Sequence, residues 1–397
     1  MEYFLLFLIW IAAAFFFPVM LRRFQIPWVT AVIFAGIIIG PNGLGIVNSG
    51  EVMDFLATIG LVFLMFTAGM DIKFSKLKKA GKKVLLFSMV NLGIPFATGC
   101  FVGIYLGLSF FASLVLGVCF SSSSVGLIVP MLRELNLKSK VKSTLVSAIF
   151  LEDVISLILL AILLKAVVPN SSIPLEIFPI VLLVFVFVVL YLIPILQEWL
   201  FWFGPSKDVF AGGVRAVFIT LALVALMAEL IGVHAMVGGF LAGLTLSDML
   251  KRRKKLEQNI IAISYGFLIP IFLLSLGMTT NIATLFEPGD ALSTGLIVLS
   301  LIASKSASGF LGGRLLGFPS RISLGMGVMT IAQMSTTLAT ASLAFQYEIF
   351  DENIVAALVI LSIITIIITP LLTKLIFRSH SEKPSKFSRL WRGNNAK

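Results

Sequence analysis

The sequence predicts an all-α polytopic membrane protein of about thirteen transmembrane helices, built from inverted six-helix repeats with two discontinuous helices that cross. Three observations carry this expectation: the composition, a nearly regular train of apolar segments, and polar interruptions at matching places in the two halves. Of 397 residues, 59% are hydrophobic and 12% charged, and the mean hydropathy is +1.07. So few polar side chains cannot cover a soluble surface.

Apolar stretches of about 20 residues, enough to cross a bilayer core, are centred near Ala12, Phe34, Leu64, Pro95, Phe120, Glu152, Phe185, Leu221, Phe240, Phe272, Ile302, Ile331 and Ile363. The first, Tyr3 to Leu21, lacks a preceding basic run and a following small-residue cleavage site, so it is expected to remain as a span. Loops after odd-numbered spans carry Arg22 and Arg23, Lys73 to Lys83, Arg133 with Lys138, Lys140 and Lys142, Lys207 and Arg215, Lys251 to Lys255, and Arg314 with Arg321. Loops after even-numbered spans carry Glu51 and Asp54, Glu176, Glu287 and Asp290, or Glu348, Asp351 and Glu352, with Lys165 the main exception. The positive-inside rule then puts the amino terminus outside and the carboxyl terminus in the cytoplasm. On this reading the net charge of +11 reports topology, and no nucleic-acid partner is expected. Cys100 and Cys119 lie inside apolar segments and suggest neither a disulfide nor a thiolate metal site, and no cofactor is expected.

The internal repeat is read from recurring pairs. Ala35-Gly36 recurs as Ala242-Gly243, Phe63-Leu64 with Gly69-Met70 as Phe272-Leu273 with Gly277-Met278, and Gly117-Val118 as Gly327-Val328, all 207 to 210 positions apart. Copies seven spans apart have opposite orientations. The expected division is a membrane domain over 1–378, with a first repeat at 1–168, a linking helix at 169–208 and a second repeat at 209–378, followed by a short basic tail at 379–397 that brushes anionic lipid. The fifth and twelfth spans look broken. Ser121 to Ser124 lies mid-span between Gly117 and Gly126, with Pro130 beyond, and Gln333 to Thr337 follows Gly325 and Gly327. Small and hydroxyl residues suit an unwound segment, whose freed carbonyls can face an ion; the alternative is ordinary packing with hydroxyls bonded to the preceding turn.

The sixth span holds adjacent acids, Glu152 and Asp153, in an apolar run. A carboxylate at the bilayer centre costs roughly 2.5 kcal/mol or more, so it marks an ion or proton path ahead of a merely anchoring salt bridge.

Several stretches carry a family resemblance: Gly36 to Leu44, Gly60 to Met70, Ser121 to Val125 with Leu132-Arg133-Glu134-Leu135, Leu151-Glu152-Asp153-Val154, Gly238 to Gly243, and Pro270 to Phe272 with Gly277-Met278. In order and spacing the chain resembles the monovalent cation:proton antiporter superfamily, in the branch of bacterial sodium/proton antiporters and potassium-efflux systems. The resemblance implies thirteen helices, a homodimer, a prokaryotic inner-membrane location, and a transport core of spans four to six and eleven to thirteen. Two departures stand out. Glu152-Asp153 replaces the usual Asp-Asp or Asn-Asp, with the second, ion-binding position intact. Ala332-Gln333-Met334 stands where electroneutral relatives often show Arg-Gly-Glu.

The chemistry also follows from the residues. Asp153 lies roughly 18 Å and Lys305 roughly 14 Å from the basic ends of their helices, within one turn of each other in depth. Neighbours on a helix point about 100° apart, so Glu152, directly or through a water, is expected on Lys305, leaving Asp153 for the ion; the alternative for Lys305 is a purely structural salt bridge. Asp153 with Ser122, Ser123 and Ser124 offers oxygens to a small monovalent cation (Na+, K+ or Li+), and the same carboxylate can take a proton instead. Competition at Asp153 yields exchange by alternating access. The acid pair with a lysine leans, by resemblance, towards charge-moving exchange of two protons per cation; a Glu152 fixed in one state gives one for one. A channel-like potassium-efflux system or a transport-inactive sensor is the alternative function. An enzyme is not expected: no mid-span histidine activates a serine, and adjacent acids do not face each other as a dyad. Glu229 and Asp71 at helix ends are read as solvated or cation-funnelling, Asn91 as a helix-packing hydrogen bond, and His234 and His380 as too peripheral for a proton relay.

Overall fold

The structure is a computed structural model that describes residues 2–377 apart from 22, 24–27, 48–49, 72–80, 125–126, 129–130, 133–134, 136, 168–173, 175, 204–211 and 281–287. The expectations for the tail and for Gly126, Pro130, Arg133, Glu134, Lys207 and Glu287 lie outside the described residues.

Within these bounds the chain forms α1 (Glu2–Leu21), α2 (Trp28–Ile39), α3 (Glu51–Asp71), α4 (Lys82–Tyr105), α5 (Phe110–Ser121), α6 (Ser139–Val167) and α7 (Phe178–Phe203). It continues as α8 (Gly212–Leu230), α9 (Ala235–Arg252) and α10, which runs from Lys254 to Thr279 through a π-helical turn at Ser264–Leu268. Last come α11 (Pro288–Leu315), the half-helices α12a (Ser320–Thr330) and α12b (Ser335–Gln346), and α13 (Glu352–Phe377). Twelve of the thirteen apolar centres in the sequence fall in one of these elements, and Ile331 falls in the gap between α12a and α12b. Among the described residues, ten spans are long and apolar enough to cross a membrane alone. Of the others, α2 and α5 are short, and α9 ends in the charged pair Lys251-Arg252.

The helices sort into two groups. A panel joins α3 to α9 and α10, α2 to α1 and α10, and α8 to α7 and α9. A core joins α4 to α5, α6 and α11, and α11 to α12a and α13. Among the described helices the main contact between the groups is α3 with α12b.

Glycine sets the close approaches in both groups. A Cβ on Gly69 or Gly243 would run into the backbone carbonyl of Phe240 or Phe66 respectively, so α3 and α9 touch along their main chains. In the core the contacts occur twice. Gly99 and Gly103 of α4 meet Gly117 and Ser113 of α5; Gly309 and Gly313 of α11 meet Gly327 and Ser323 of α12a. Every residue in the second set lies 210 positions after its counterpart, as Gly309 does after Gly99. The helix ends repeat as well. Gly107 and Gly317 take left-handed φ values of 79° and 80°, and Leu108 N and Phe318 N donate to Gly103 O and Gly313 O, each at 3.0 Å. Side chains are disfavoured at such φ, which is why glycine closes both helices.

Candidate functional site

The two breaks lie against each other inside the core. In the first half, α5 keeps Ser121 as its last helical residue and turns extended at Ser122 (φ −73°, ψ 169°), so the described part of the break is Ser122–Ser124. In the second, the helix stops at Thr330 and resumes at Ser335. This places the second break at residues 331–334, a few positions earlier than the Gln333–Thr337 run expected from sequence; Ser335 to Thr337 instead open α12b.

Hydrogen bonds join the two breaks. Ser124 N donates to Ala332 O at 2.7 Å. Gln333 Nε2 donates to Ser122 O at 2.7 Å, and Ser123 Oγ to Thr330 O at 2.9 Å. Gln333 Oε1 accepts from Ser122 Oγ at 3.1 Å and also from Thr337 Oγ1, while Gln333 N donates to Thr365 Oγ1 of α13 at 3.2 Å. Most main-chain groups freed by unwinding thus find a partner, as a buried backbone requires.

The acid pair is split by its surroundings. Lys305 of α11 and Glu152 of α6 are both 0% exposed, with Nζ to Oε2 3.4 Å apart. The ammonium also donates to Ser121 O at 2.6 Å, Ser123 Oγ at 3.1 Å and Asn91 O at 3.2 Å. Asn91 Nδ2 of α4 reaches both Glu152 oxygens, Oε1 at 3.0 Å and Oε2 at 2.9 Å. Asp153 is different. It is buried, Oδ1 has no hydrogen-bond partner among the described residues, and the groups acting on the carboxylate are the Glu152 charge, the Ser123 amide, the Lys305 charge and the Thr336 hydroxyl.

The serines differ too. Ser121 Oγ bonds back to Gly117 O at 2.9 Å, and Ser122 and Ser123 spend their hydroxyl protons across the break. Ser124 Oγ is buried without a partner among the described residues. No group of three or more His, Cys, Asp or Glu poised for a metal ion occurs among the described residues.

Sequence reasoning placed Asn91 in helix packing; the structure places it on Glu152. Depth was the available signal. Asn91 lies nine residues from Lys82 (91 − 82), as Lys305 lies nine from Arg314 (314 − 305). Thr336 belongs to the Gln333 to Thr337 run that the sequence marks as a broken segment, but nothing in the sequence ties it to Asp153 in particular. Glu229 and Asp71 are exposed at helix ends, and His234 caps α9.

A helical bundle whose broken helices cross beside buried carboxylates and a buried lysine is a secondary-transporter architecture. The chain belongs to the sodium/hydrogen exchanger family, within the monovalent cation:proton antiporter superfamily: the family's transmembrane region matches residues 11–378. It is an integral membrane transporter and not an enzyme. A probable Na+/H+ antiporter 3 of Methanocaldococcus jannaschii is 34% identical over 389 residues, covering 97% of this chain and 99% of the relative. The Na+/H+-K+ antiporter GerN of Bacillus cereus is 25% identical, covering 88% of this chain and 90% of its own. In fold, the solved sodium proton antiporter MjNhaP1 of Methanocaldococcus jannaschii aligns with a TM-score of 0.75 at 17% identity, over 96% of this chain and 100% of that one.

Proposed function

We propose that this protein exchanges a monovalent cation, Na+ or K+, for protons by alternating access, with cation and proton competing for Asp153. The observation that carries the reading is the contrast between the two acids. Glu152 meets Asn91, Lys305 and Ser123, whereas Asp153 keeps a buried oxygen without a partner among the described residues. A buried carboxylate with an oxygen left unbonded, and only a shared lysine for counter-charge, is costly unless something neutralises it. Either a proton or a monovalent cation does so, and one occupant excludes the other.

Alternating access is supported by the division of the molecule. The site lies wholly within the core, and the core meets the panel mainly through α12b on α3, so a rigid displacement there moves the site without taking it apart. The basic loops support an amino terminus outside and a cytoplasmic carboxyl terminus. The family resemblance supports a homodimer in a prokaryotic inner membrane, with residues 1–378 as one transport unit.

The experiment is flux in proteoliposomes holding the purified protein, with sodium, potassium and lithium gradients each tested for driving a pH change. Saturable exchange that is competitive between cation and proton is expected. Cation flux without proton movement would instead favour the channel-like reading, and no flux with any of the three the sensor reading.

A further inference from the structure

Asn91 occupies a place that helix packing alone does not require. Its amide nitrogen donates to both oxygens of the Glu152 carboxylate, at 3.0 and 2.9 Å, and its amide oxygen accepts from Ser308 Oγ of α11 at 2.9 Å. Its main-chain carbonyl accepts from Lys305 Nζ at 3.2 Å. Gly309 leaves room for the amide: a Cβ there would stand 3.2 Å from Asn91 Oδ1. Thr330 Oγ1 of α12a donates to the same oxygen at 3.3 Å, so α11 and α12a together set the side chain's orientation, and that orientation turns Glu152 towards Lys305.

Glu152 is next to Asp153 in sequence, and the two carboxylates feel each other's charge. A glutamate has three rotatable side-chain bonds, so without Asn91 its carboxylate can swing towards the Asp153 oxygen that lacks a partner. The charge of a cation site follows from its carboxylates: one with neutral oxygens suits a monovalent ion, while two favour a divalent one.

We infer that Asn91 is a positioning residue that sets the charge selectivity of the exchange site, by holding Glu152 on Lys305 and so leaving Asp153 as the site's one available carboxylate. This rests on the exchange reading above and names what limits its substrates to single charges. Released from Asn91, Glu152 joins Asp153; the cation is then held more tightly and leaves more slowly, and a divalent cation gains a site.

The test is sodium-driven proton movement in proteoliposomes, with and without calcium, for the full-length wild-type protein, Asn91→Ala and Ser308→Ala. Wild-type exchange is expected to be insensitive to calcium. In Asn91→Ala the apparent sodium constant and the maximal rate should both fall, the constant on the order of tenfold, since a hydrogen bond to a charged group is worth about a decade in an equilibrium constant or more, and calcium should inhibit. Ser308→Ala removes the hydroxyl that orients the amide and should shift the same way by less; it carries the test if Asn91→Ala fails to fold. A merely structural role lowers the rate or raises the sodium constant and leaves calcium inert, which overturns the inference, as does calcium inhibition of the wild type. Wild-type protein that exchanges no monovalent cation overturns the parent reading and this one together.

Discussion

The amide of Ser124 donates to the carbonyl of Ala332 at 2.7 Å, joining the unwound segments of two helices that lie in opposite repeats. With the Gln333–Ser122 and Ser123–Thr330 bonds it ties the two breaks together beside Asp153. The consequences are testable residue by residue.

Asp153→Asn keeps the size of the side chain and removes its charge, imitating a permanently neutralised site. Cation-dependent proton movement in proteoliposomes is expected to vanish while the detergent-solubilised protein keeps its elution volume and melting temperature. Exchange retained in this variant would sink competition at Asp153.

Neighbouring serines should separate into two effects. Ser124 Oγ lacks a partner, so Ser124→Ala costs little stability but is expected to raise the apparent sodium constant several-fold through loss of a ligand oxygen. Ser123 Oγ donates to Thr330 O, so Ser123→Ala should lower stability by about 1 kcal/mol, read as a lower melting temperature. Equal behaviour of the two variants in both measurements would contradict this division.

Lys305 and Glu152 form a fully buried pair, and removing one partner of such a pair costs about 3–5 kcal/mol because the other charge is stranded. Lys305→Gln is expected to melt well below the wild type, and Lys305→Gln/Glu152→Gln to recover part of the loss. If the pair stays closed through the cycle and Asp153 is the exchange site proposed above, one proton per cation is expected in place of the charge-moving exchange that the family resemblance leans towards. Sodium flux in liposomes should then ignore a potential clamped with valinomycin. Acceleration by a potential drawing in the excess protons would show a second titrating group.

Glycine packing gives a contrast within one helix. A Cβ on Gly309 collides with the main chain of Gly327, whereas nothing lies within 4 Å of one on Gly295. Gly309→Val is expected to prevent the α11–α12a contact and with it stable expression. Gly295→Ala should be neutral or gain up to about 1 kcal/mol from helix propensity.

His234, in the turn between α8 and α9, accepts from Met236 N through Nδ1 at 3.2 Å, and burial pushes its imidazole down to about 4 from 6.5. The unfolded chain therefore binds a proton that the folded one refuses between those values. Its contribution to stability is complete above about pH 6.5 and is lost as the pH falls towards 4. His234→Asn replaces the Nδ1 acceptor with a non-titrating amide oxygen and should flatten the melting temperature across this window; an unchanged pH profile would exclude His234 as the cause.

The sequence determined the number and order of the spans, because apolar length and the alternation of basic and acidic loops are properties of the chain itself. It also located the two breaks to within a few residues, through serine and glycine runs, and it put Asp153 and Lys305 at one depth by counting from helix ends. The repeat was legible as a near-constant offset, and the matched contacts of Gly99 with Gly117 and Gly309 with Gly327 give that offset its structural meaning. Only the tertiary structure decided how each helix is rotated about its axis. Rotation settles that Glu152 faces Lys305, that Asn91 grips its carboxylate, that Gln333 fastens the break, and that Ser124 alone of the four serines keeps a hydroxyl without a partner among the described residues. The physical reason is that depth follows from a fixed rise per residue along one helix, whereas a hydrogen bond such as Lys305 to Ser121 depends on how helices 184 positions apart are turned and packed.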